Sequence, residues 1–280
     1  TLTEAEKHEI LIDSQAKLQS YAKSLNKLMH NHNITAPQRV LYVSGMLLSM
    51  QNVVNDAGIK IQDGLVPKDL KGIQTDSKRD GAQIVNQIKE FLTARKIPID
   101  KQNLMLASFS EISKDAQRDE ITKLDKEVSK LISNDSSSNK QIFSFIYHNI
   151  FLSIDAMVGH LDIMGEMYSE FLKYALGDGK EIGIVLTPPY ITKMMATLLS
   201  IDKDSKVMDL ATGSAGFLIS AMELMIQDVN GLYGKKTSEA NNTIEKIKKT
   251  QLLGVELNAE MFTLAATNMI LRGDGSSNIP

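Results

Sequence analysis

The chain has 280 residues, 42% of them hydrophobic and 23% charged, and its formal net charge is −3 at pH 7. The length exceeds one typical domain, and the composition is that of a globular protein able to bury a core. Cys is absent from the sequence, which excludes disulfides and Cys-ligated metal sites. The small acidic excess disfavours a protein that binds nucleic acid without a partner, because phosphate contacts need a basic surface.

Neither a membrane span nor a secretory leader is predicted. The longest strongly apolar stretch, 40–50, is too short to cross a bilayer and contains Ser44, Gly45 and Ser49. The first residues lack the basic-then-apolar order of a signal peptide. We therefore expect a soluble, cytoplasmic protein with no membrane partner and no metal site.

The first 160 residues are predicted to form an α-helical domain. Thr3–Glu6 has the capping-box pattern that opens a helix, and apolar residues such as Leu25 and Leu28 recur at helical spacing behind it. The Asn-His-Asn run at 31–33 predicts a break. Further helices are predicted from the Thr-Ala-Pro-Gln run at 35–38 and over 81–95, 113–132 and 143–176.

One polar run interrupts these helical patterns. Residues 134–139 read Asn-Asp-Ser-Ser-Ser-Asn, the most polar short stretch of the chain. Clusters of such residues between periodic segments are typical of loops. We therefore predict an exposed loop at 134–139.

The pattern changes after the Gly-Asp-Gly run at 177–179. Two short strands are predicted, 206–209 and 251–256, each ending at an acid, and helices follow them over 216–227 and 259–272. Strand–turn–helix repeated twice predicts a parallel sheet of βαβ units. The predicted fold is an α-helical N-terminal domain, 1–160, followed by part of an α/β Rossmann-like domain, 161–280.

The turn after the first predicted strand has the composition of a ligand-binding turn. It reads Asp-Leu-Ala-Thr-Gly-Ser-Ala-Gly-Phe over 209–217, with Gly213 and Gly216 leaving room for a ligand beside the backbone. The helix that follows points its first N–H groups at that space, which suits an anionic group. The same residues would also suit an ordinary tight turn that needs glycine for positive φ, so the motif by itself leaves both interpretations open.

The acid at the end of the second predicted strand favours the ligand interpretation. Rossmann-like folds place a carboxylate there to accept both ribose hydroxyls. In a dinucleotide enzyme this acid follows the glycines by about 20 residues. Here the polar stretch 228–250 separates Gly216 from Glu256 by 40 residues, counted as 256 − 216. This spacing disfavours a simple NAD-binding unit, and an ordinary solvated Glu is the remaining alternative.

Two further motifs flank this region. Thr187, Pro188 and Pro189 stand before a predicted helix at 190–199, where the prolines restrict the backbone and leave the Thr hydroxyl free to bond a ligand. The run Arg-Gly-Asp-Gly at 272–275 ends the pattern, and Gly273 would suit a helix C-cap. Without further context, both are also explained by a helix start and a helix end.

The order Leu-Thr-Pro-Pro-Tyr (186–190), Asp-Leu-Ala-Thr-Gly-Ser-Ala-Gly-Phe (209–217) and Gly-Val-Glu-Leu-Asn (254–258) resembles a known family. It is similar to the modification subunits of type I restriction–modification systems, which are adenine-N6 DNA methyltransferases. The resemblance covers 160–280 and includes the Met-Gly-Glu-Met-Tyr-Ser-Glu-Phe-Leu run at 164–172 and the Asn-Met-Ile-Leu run at 268–271. The first 140 residues match less clearly.

The resemblance implies S-adenosylmethionine as cofactor and a set of residues that bind it. These are Leu186, Thr187, Pro188, Asp209, Ala211, Gly213, Ser214, Ala215, Gly216, Phe217, Glu256, Leu257 and Asp274. Thr187 would contact the methionine moiety, and Asp274 would receive the adenine amino group. DNA, a specificity subunit and a restriction subunit are the implied partners, and the DNA sequence recognised would be set by the specificity subunit.

The chain departs from the family at two points. The usual glycine motif reads Asp-Pro-Ala-Cys-Gly-Ser-Gly-Gly-Phe, so Leu210, Thr212 and Ala215 differ, and the Ala215 methyl is expected next to the ligand. The Asn/Asp-Pro-Pro-aromatic motif that holds the target adenine is absent from the sequence. We therefore assign no catalytic residue and expect cofactor binding without methyl transfer.

Three other functions remain open at the level of sequence. A methyltransferase acting on RNA or protein would share the cofactor motifs. A nucleotide- or NAD-binding enzyme is disfavoured by the Gly216–Glu256 spacing. A non-catalytic assembly module would use the helical domain to contact a specificity subunit or DNA and would not bind the cofactor.

Overall fold

A computed structural model describes residues 17, 20–55, 59–73, 75, 78–152, 187–272 and 279. The chain divides into two compact units, each built from two stretches of sequence. Unit 1 comprises Thr1–Ala94 and Phe109–Ile184, and unit 2 comprises Arg95–Ser108 and Val185–Pro280. The predicted capping box at Thr3–Glu6 and the run at 164–172 lie outside the described residues.

Unit 1 is mostly helical. Its described helices are α1 (20–31), α2 (Ala36–Ser49), α3 (Asp80–Ala94), α5 (Glu111–Lys114) and α6 (Ser138–Ile146). A π-helical turn at Tyr147–Phe151 continues α6. Short 3₁₀ turns occupy Pro67–Asp69 and Ala116–Asp119. Two antiparallel strand pairs complete it: β1 (Val53–Val54) with β2 (Lys60–Gln62), and β3 (Ile121–Thr122) with β4 (Ser136–Ser137).

The apolar faces of these helices form the core of unit 1. Its largest fully buried side chains are Tyr42, Phe91, Phe109, Phe143, Leu25, Leu28, Met29, Ile34, Met46, Leu48, Leu70 and Ile84. The predicted break at 31–33 is confirmed, and so is the helix that restarts with Pro37 in its first turn. The Gln38 side chain accepts a hydrogen bond from the Thr35 N–H at 2.9 Å, which satisfies a donor before the helix begins.

Two predictions for unit 1 are wrong. Residues 113–132 do not form one helix, because α5 ends at Lys114 and is followed by the 3₁₀ turn, β3 and a series of turns. The polar run at 134–139 is not an exposed loop, since Ser136, Ser137 and Asn139 are buried. Polar side chains of both segments make hydrogen bonds within the unit: Asp115 accepts from the Gln117 N–H, and Ser136 donates to the Asn134 carbonyl.

The buried polar cluster in unit 1 is centred on two carboxylates. Asp80 accepts hydrogen bonds from the Gly72 N–H at 2.8 Å and from the Ser137 hydroxyl. Asp119 accepts from the Gly81 N–H at 2.9 Å and from the Asn139 amide at 2.7 Å. An Arg79 ion pair at 3.0 Å adds a positive charge beside Asp119. Buried charges persist when hydrogen bonds satisfy them in this way.

Unit 2 contains a parallel strand pair flanked by helices. Its elements are α4 (Ile99–Phe109, whose last residue belongs to unit 1), α7 (Pro189–Leu198), β5 (Val207–Asp209), α8 (Gly216–Tyr233), α9 (Ser238–Thr250), β6 (Leu252–Gly254) and α10 (Ala259–Leu271). The register pairs Val207 with Leu252 and Asp209 with Gly254. The two predicted strands and the helices after them are confirmed. Helix α4 was not predicted from the sequence.

Helices α8 and α10 supply most of the buried surface of unit 2. Leu218, Met222, Met225 and Val229 are buried at helical spacing on α8, and every residue from 261 to 270 of α10 is buried. The Thr263 hydroxyl bonds that of Ser108 at 3.0 Å, which joins α10 to α4. The polar stretch 228–250 is the end of α8, a turn and helix α9. Among the described helices of the chain, none has the length and apolarity needed to span a membrane.

Candidate functional site

The ends of β5 and β6 are joined by a short network of hydrogen bonds. The Asp209 carbonyl, at the end of β5, accepts from the Val255 N–H at 2.8 Å and from the Thr212 hydroxyl at 3.0 Å. The Thr212 N–H donates to the Val255 carbonyl at 3.0 Å. Because the carboxyl ends of parallel strands lie at one edge of a sheet, the turn after β5 lies beside the segment that follows β6.

The turn between β5 and α8 contains two left-handed residues. Gly213 has φ +55 and Ala215 has φ 71, and the Ala215 N–H donates to the Thr212 carbonyl at 2.8 Å. Glycine adopts this conformation freely, whereas for an L-residue it costs about 1 kcal/mol or more. The Ala215 side chain is fully buried, so it packs within unit 2. Helix α8 then begins at Gly216, and no described side chain caps it.

Glu256 bonds directly to this turn. One oxygen of its carboxylate accepts from the Gly213 N–H at 2.9 Å, across 43 residues of sequence. The other accepts from the Asn258 N–H at 2.8 Å. An ionised carboxylate can accept about four hydrogen bonds, so half-buried Glu256 has capacity for two more donors. The structure therefore brings together the glycine turn and the acid that the sequence singled out.

Asp209 has a buried oxygen that no donor of the described residues satisfies. Its Oδ1 accepts from the Ala211 N–H at 3.1 Å, while Oδ2 is buried and lacks a hydrogen-bond partner in the described part of the chain. A buried carboxylate oxygen without a donor costs free energy. A ligand ammonium or N–H group at this position would remove that cost.

The remaining predicted residues surround the turn or lie outside the described ranges. Ser214, Gly216 and Phe217 are half-buried, and Leu257 is fully exposed next to Glu256. Thr187 and Pro188 are exposed, and Pro188 is the N-cap of α7. Leu186 and Asp274 lie outside the described residues.

Helix α7 is tied to the start of α8. The buried hydroxyls of Thr192 and Ser220 are 2.7 Å apart, and the Thr192 methyl lies 3.6 Å from where a Cβ on Gly216 would be. Thr187 and Pro188 therefore directly precede a helix that contacts the first residue of α8. Exposed apolar side chains also border the strand ends, namely Met208, Leu210, Val255 and Leu257.

Two residues that hold the turn were not predicted as site residues. Thr212 is buried and its hydroxyl bonds the Asp209 carbonyl, as described above. The Asn268 amide, 4% exposed on α10, donates to the Ser214 carbonyl at 3.0 Å. Thr212 stands inside the motif, where its polar side chain between small residues could have indicated it. Nothing in the local pattern of α10 indicates that Asn268 reaches a turn 54 residues earlier.

Comparisons with known proteins identify similar sequences. Residues 159–279 match the model of the N-6 DNA Methylase family. The type II restriction enzyme and methyltransferase RM.BcgI of Heyndrickxia coagulans is 36% identical over 208 residues, which cover 71% of this chain and 29% of that protein. The type I restriction enzyme HindI methylase subunit of Haemophilus influenzae is 30% identical over 117 residues, or 41% of this chain and 23% of that protein.

A solved structure is also similar over most of the chain. The modification subunit of a putative type I restriction enzyme from Vibrio vulnificus YJ016 has a TM-score of 0.46 at 13% identity, and the match covers 92% of this chain and 54% of that one. The present chain spans less than a third of the length of the two curated relatives described above. The resemblance inferred from the three motifs is confirmed by the match to the N-6 DNA methylase family, which covers residues 159–279.

Proposed function

We propose that unit 2 is the cofactor-binding part of a type I adenine-N6 DNA methyltransferase and binds S-adenosylmethionine. The supporting observation is the Glu256 carboxylate, held against the Gly213 turn at the carboxyl end of a parallel strand pair. This is where open α/β folds bind nucleoside cofactors. The parallel pair and its flanking helices also support a Rossmann-like fold for unit 2.

The polar groups around the turn fit the groups of this cofactor. Glu256 has two remaining acceptor positions for the two ribose hydroxyls. The unsatisfied Asp209 Oδ2 suits the methionine ammonium, since a cation would satisfy that buried oxygen. The first turn of α8 and the exposed Thr187 hydroxyl suit the carboxylate. Leu257 and Val255 offer apolar surface for the adenine ring, and Asp274 is proposed to accept its amino group.

S-adenosylmethionine supplies an activated methyl group when it is bound. The role of this chain's residues would be to bind and orient that group, because proximity and orientation are a large part of catalysis in group transfer. The target adenine of the DNA would have to leave the duplex to reach it. We further propose that a specificity subunit selects the DNA site and that a restriction subunit completes the system in the cell.

Calorimetric titration with S-adenosylmethionine tests this proposal. We expect saturable binding by the wild-type chain, weakened at least about tenfold in Asp209→Ala and Glu256→Ala, since each loses hydrogen bonds to a charged group. Glu260→Ala is the matched control, because Glu260 is an exposed acid on α10 and should leave the affinity unchanged. NAD should not bind.

Other outcomes would favour other functions. Binding of NAD in competition with S-adenosylmethionine would favour a dinucleotide enzyme. If neither ligand binds while a specificity subunit does, the chain is an assembly module. Methylation of RNA or protein by the longer natural protein, without methylation of DNA, would leave the cofactor site correct and the substrate wrong.

A further inference from the structure

The turn between β5 and α8 has a backbone conformation that its own sequence does not favour. Ala215 stands at φ 71 and ψ 20, in the left-handed region, directly before the first residue of α8. Such a conformation in a residue other than glycine persists when the surrounding structure holds it. The question is which groups hold this turn.

Two side chains bond the turn from the segment formed by β6 and α10. The Asn268 amide donates to the Ser214 carbonyl at 3.0 Å, and the Glu256 carboxylate accepts from the Gly213 N–H at 2.9 Å. The first bond fixes the carbonyl that directly precedes Ala215, and the second fixes the amide of the other left-handed residue. Together they restrain the backbone on both sides of Ser214.

The two side chains are themselves held in place. Asn268 is 4% exposed, in the fully buried stretch of α10. The Asn258 N–H bonds the second Glu256 oxygen, and the Asn258 side chain caps α10 through the N–H groups of Glu260 and Met261. The start of α10 and Glu256 therefore form one hydrogen-bonded unit.

We propose that Asn268 is a positioning residue that, with Glu256, holds residues 213–215 in their left-handed conformation before any ligand arrives. Its effect on cofactor affinity rests on the proposed function, whereas its effect on the turn does not. Asn268 would not touch the cofactor. It acts through the Ser214 carbonyl, which sets the direction of the N–H groups at the start of α8.

This role predicts a coupling between Asn268 and Ala215. Without the Asn268 bond, the Ala215 backbone can relax to a right-handed or extended conformation, which an L-residue favours. With glycine at 215 the left-handed conformation has no such penalty, so the turn depends less on the bond. The effect of removing Asn268 should therefore be smaller in the Ala215→Gly background.

Amide hydrogen exchange of the ligand-free chain tests the effect on the turn. In Asn268→Ala, we expect the Gly213 and Ala215 amides to exchange about tenfold faster, an amount equivalent to the loss of one net hydrogen bond. Thr267→Val is the matched control: Thr267 is buried on the same helix, and its hydroxyl has no hydrogen-bond partner among the described residues. Unchanged exchange at Gly213 and Ala215 in Asn268→Ala would overturn the proposal.

Affinity for S-adenosylmethionine tests the consequence for the site. We expect Asn268→Ala to weaken binding about tenfold in the wild-type background and clearly less in the Ala215→Gly background. Equal losses in both backgrounds would mean that Asn268 matters only for general stability, and the positioning role would be wrong. If the wild-type chain does not bind the cofactor, the proposed function fails, and the exchange experiment still decides the role of Asn268.

A second variant guards against loss of folding. Asn268→Leu keeps the branched shape of the side chain and removes the amide donor without burying a charge. If Asn268→Ala unfolds, the same exchange and affinity measurements are made on Asn268→Leu. Faster exchange confined to the turn supports the proposal, and wild-type exchange there contradicts it.

Discussion

Gly254 illustrates how a single residue without a side chain allows the two strand ends to meet. A Cβ at this position would lie 2.5 Å from the Thr212 hydroxyl oxygen and 2.9 Å from a methyl of Leu218. Thr212 occupies that space and uses its hydroxyl to bond the Asp209 carbonyl. The close contact of β6 with the turn therefore depends on the pair formed by Gly254 and Thr212.

Gly254→Ala should destabilise the chain by about 1–3 kcal/mol, the usual cost of adding a methyl group to a packed site. Urea denaturation followed by circular dichroism would measure it. Gly231→Ala is the control, because no atom of the described residues lies within 4 Å of its added Cβ and the helix interior favours Ala, so stability should rise by about 0.5–1 kcal/mol.

Thr212→Ala tests whether Gly254→Ala is destabilising because the added methyl group clashes with Thr212. It removes both Thr212 atoms that the new methyl would meet, so the double variant Gly254→Ala/Thr212→Ala should lose less than the sum of the two single losses. Additive losses would show that the clash with Thr212 is not the cause.

At the scale of elements, the start of α10 is determined by one side chain. Asn258 is the N-cap, and its Oδ1 accepts from the N–H groups of Glu260 and Met261 at 3.0 Å each. Its backbone N–H meanwhile bonds Glu256. The cap thus connects the stability of the helix to the acid of the candidate site.

Asn258→Ala should cost about 1 kcal/mol, the typical loss when an N-cap acceptor is removed. In thermal unfolding this corresponds to a decrease in Tm of about 2 °C for a chain of this size. Asn258→Ser keeps an acceptor and should remain close to wild type. A larger loss in Asn258→Ser than in Asn258→Ala would contradict this account of the cap.

The buried polar cluster connects α3 to β4 in unit 1 through Asp80. Burial raises the pKa of Asp80 above its ordinary value, the bonds from Ser137 and Gly72 lower it in part, and the charge of Asp119 raises it further. A carboxyl whose pKa is raised on folding stabilises the fold at low pH. That contribution is lost as the pH rises through its folded pKa.

Asp80→Asn removes this titration. The wild type should therefore be most stable relative to Asp80→Asn near about pH 4. This difference in unfolding free energy should decrease as the pH is raised to about 7. Urea denaturation of both proteins at several pH values measures it. A difference for Asp80→Asn that grows with pH would contradict the prediction.

At the scale of the whole molecule, the sequence contains the proposed cofactor residues but no Asn/Asp-Pro-Pro-aromatic motif. Pro188 and Pro189 form the only Pro-Pro pair of the sequence. The residue before this pair is Thr187, whereas the Asn/Asp-Pro-Pro-aromatic motif requires Asn or Asp there. The chain also spans only part of each curated relative. We therefore expect methyl transfer to require a base-binding group that this sequence does not contain.

Residues 1–280 should bind S-adenosylmethionine without methylating adenine in duplex DNA. Transfer of a radiolabelled methyl group to DNA, compared with a reaction lacking protein, would measure this. A full-length protein of the same system, with its specificity subunit, is the positive control. Adenine methylation by residues 1–280 would contradict the prediction and would require a base-binding group other than the usual motif.

The order of the motifs along the sequence determined the family resemblance and the local elements of unit 2. Strands 207–209 and 252–254 and the helices after them were predicted because each is defined by neighbouring residues: a short apolar run, an acid, small residues in a turn and then helical periodicity. The bond between the glycine turn and Glu256 was not predicted, but it is compatible with the predicted parallel strands, which place their carboxyl ends at one edge of the sheet.

Only the tertiary structure showed how distant polar side chains are used. The run at 134–139 looks like a loop because its residues are polar, yet Asp80 and Asp119 accept hydrogen bonds from Ser137 and Asn139 in the interior. In the same way, Asn268 has no local pattern that relates it to Ser214. Whether a polar side chain is solvated or buried depends on the partners that folding brings to it, and those partners lie far away in the sequence.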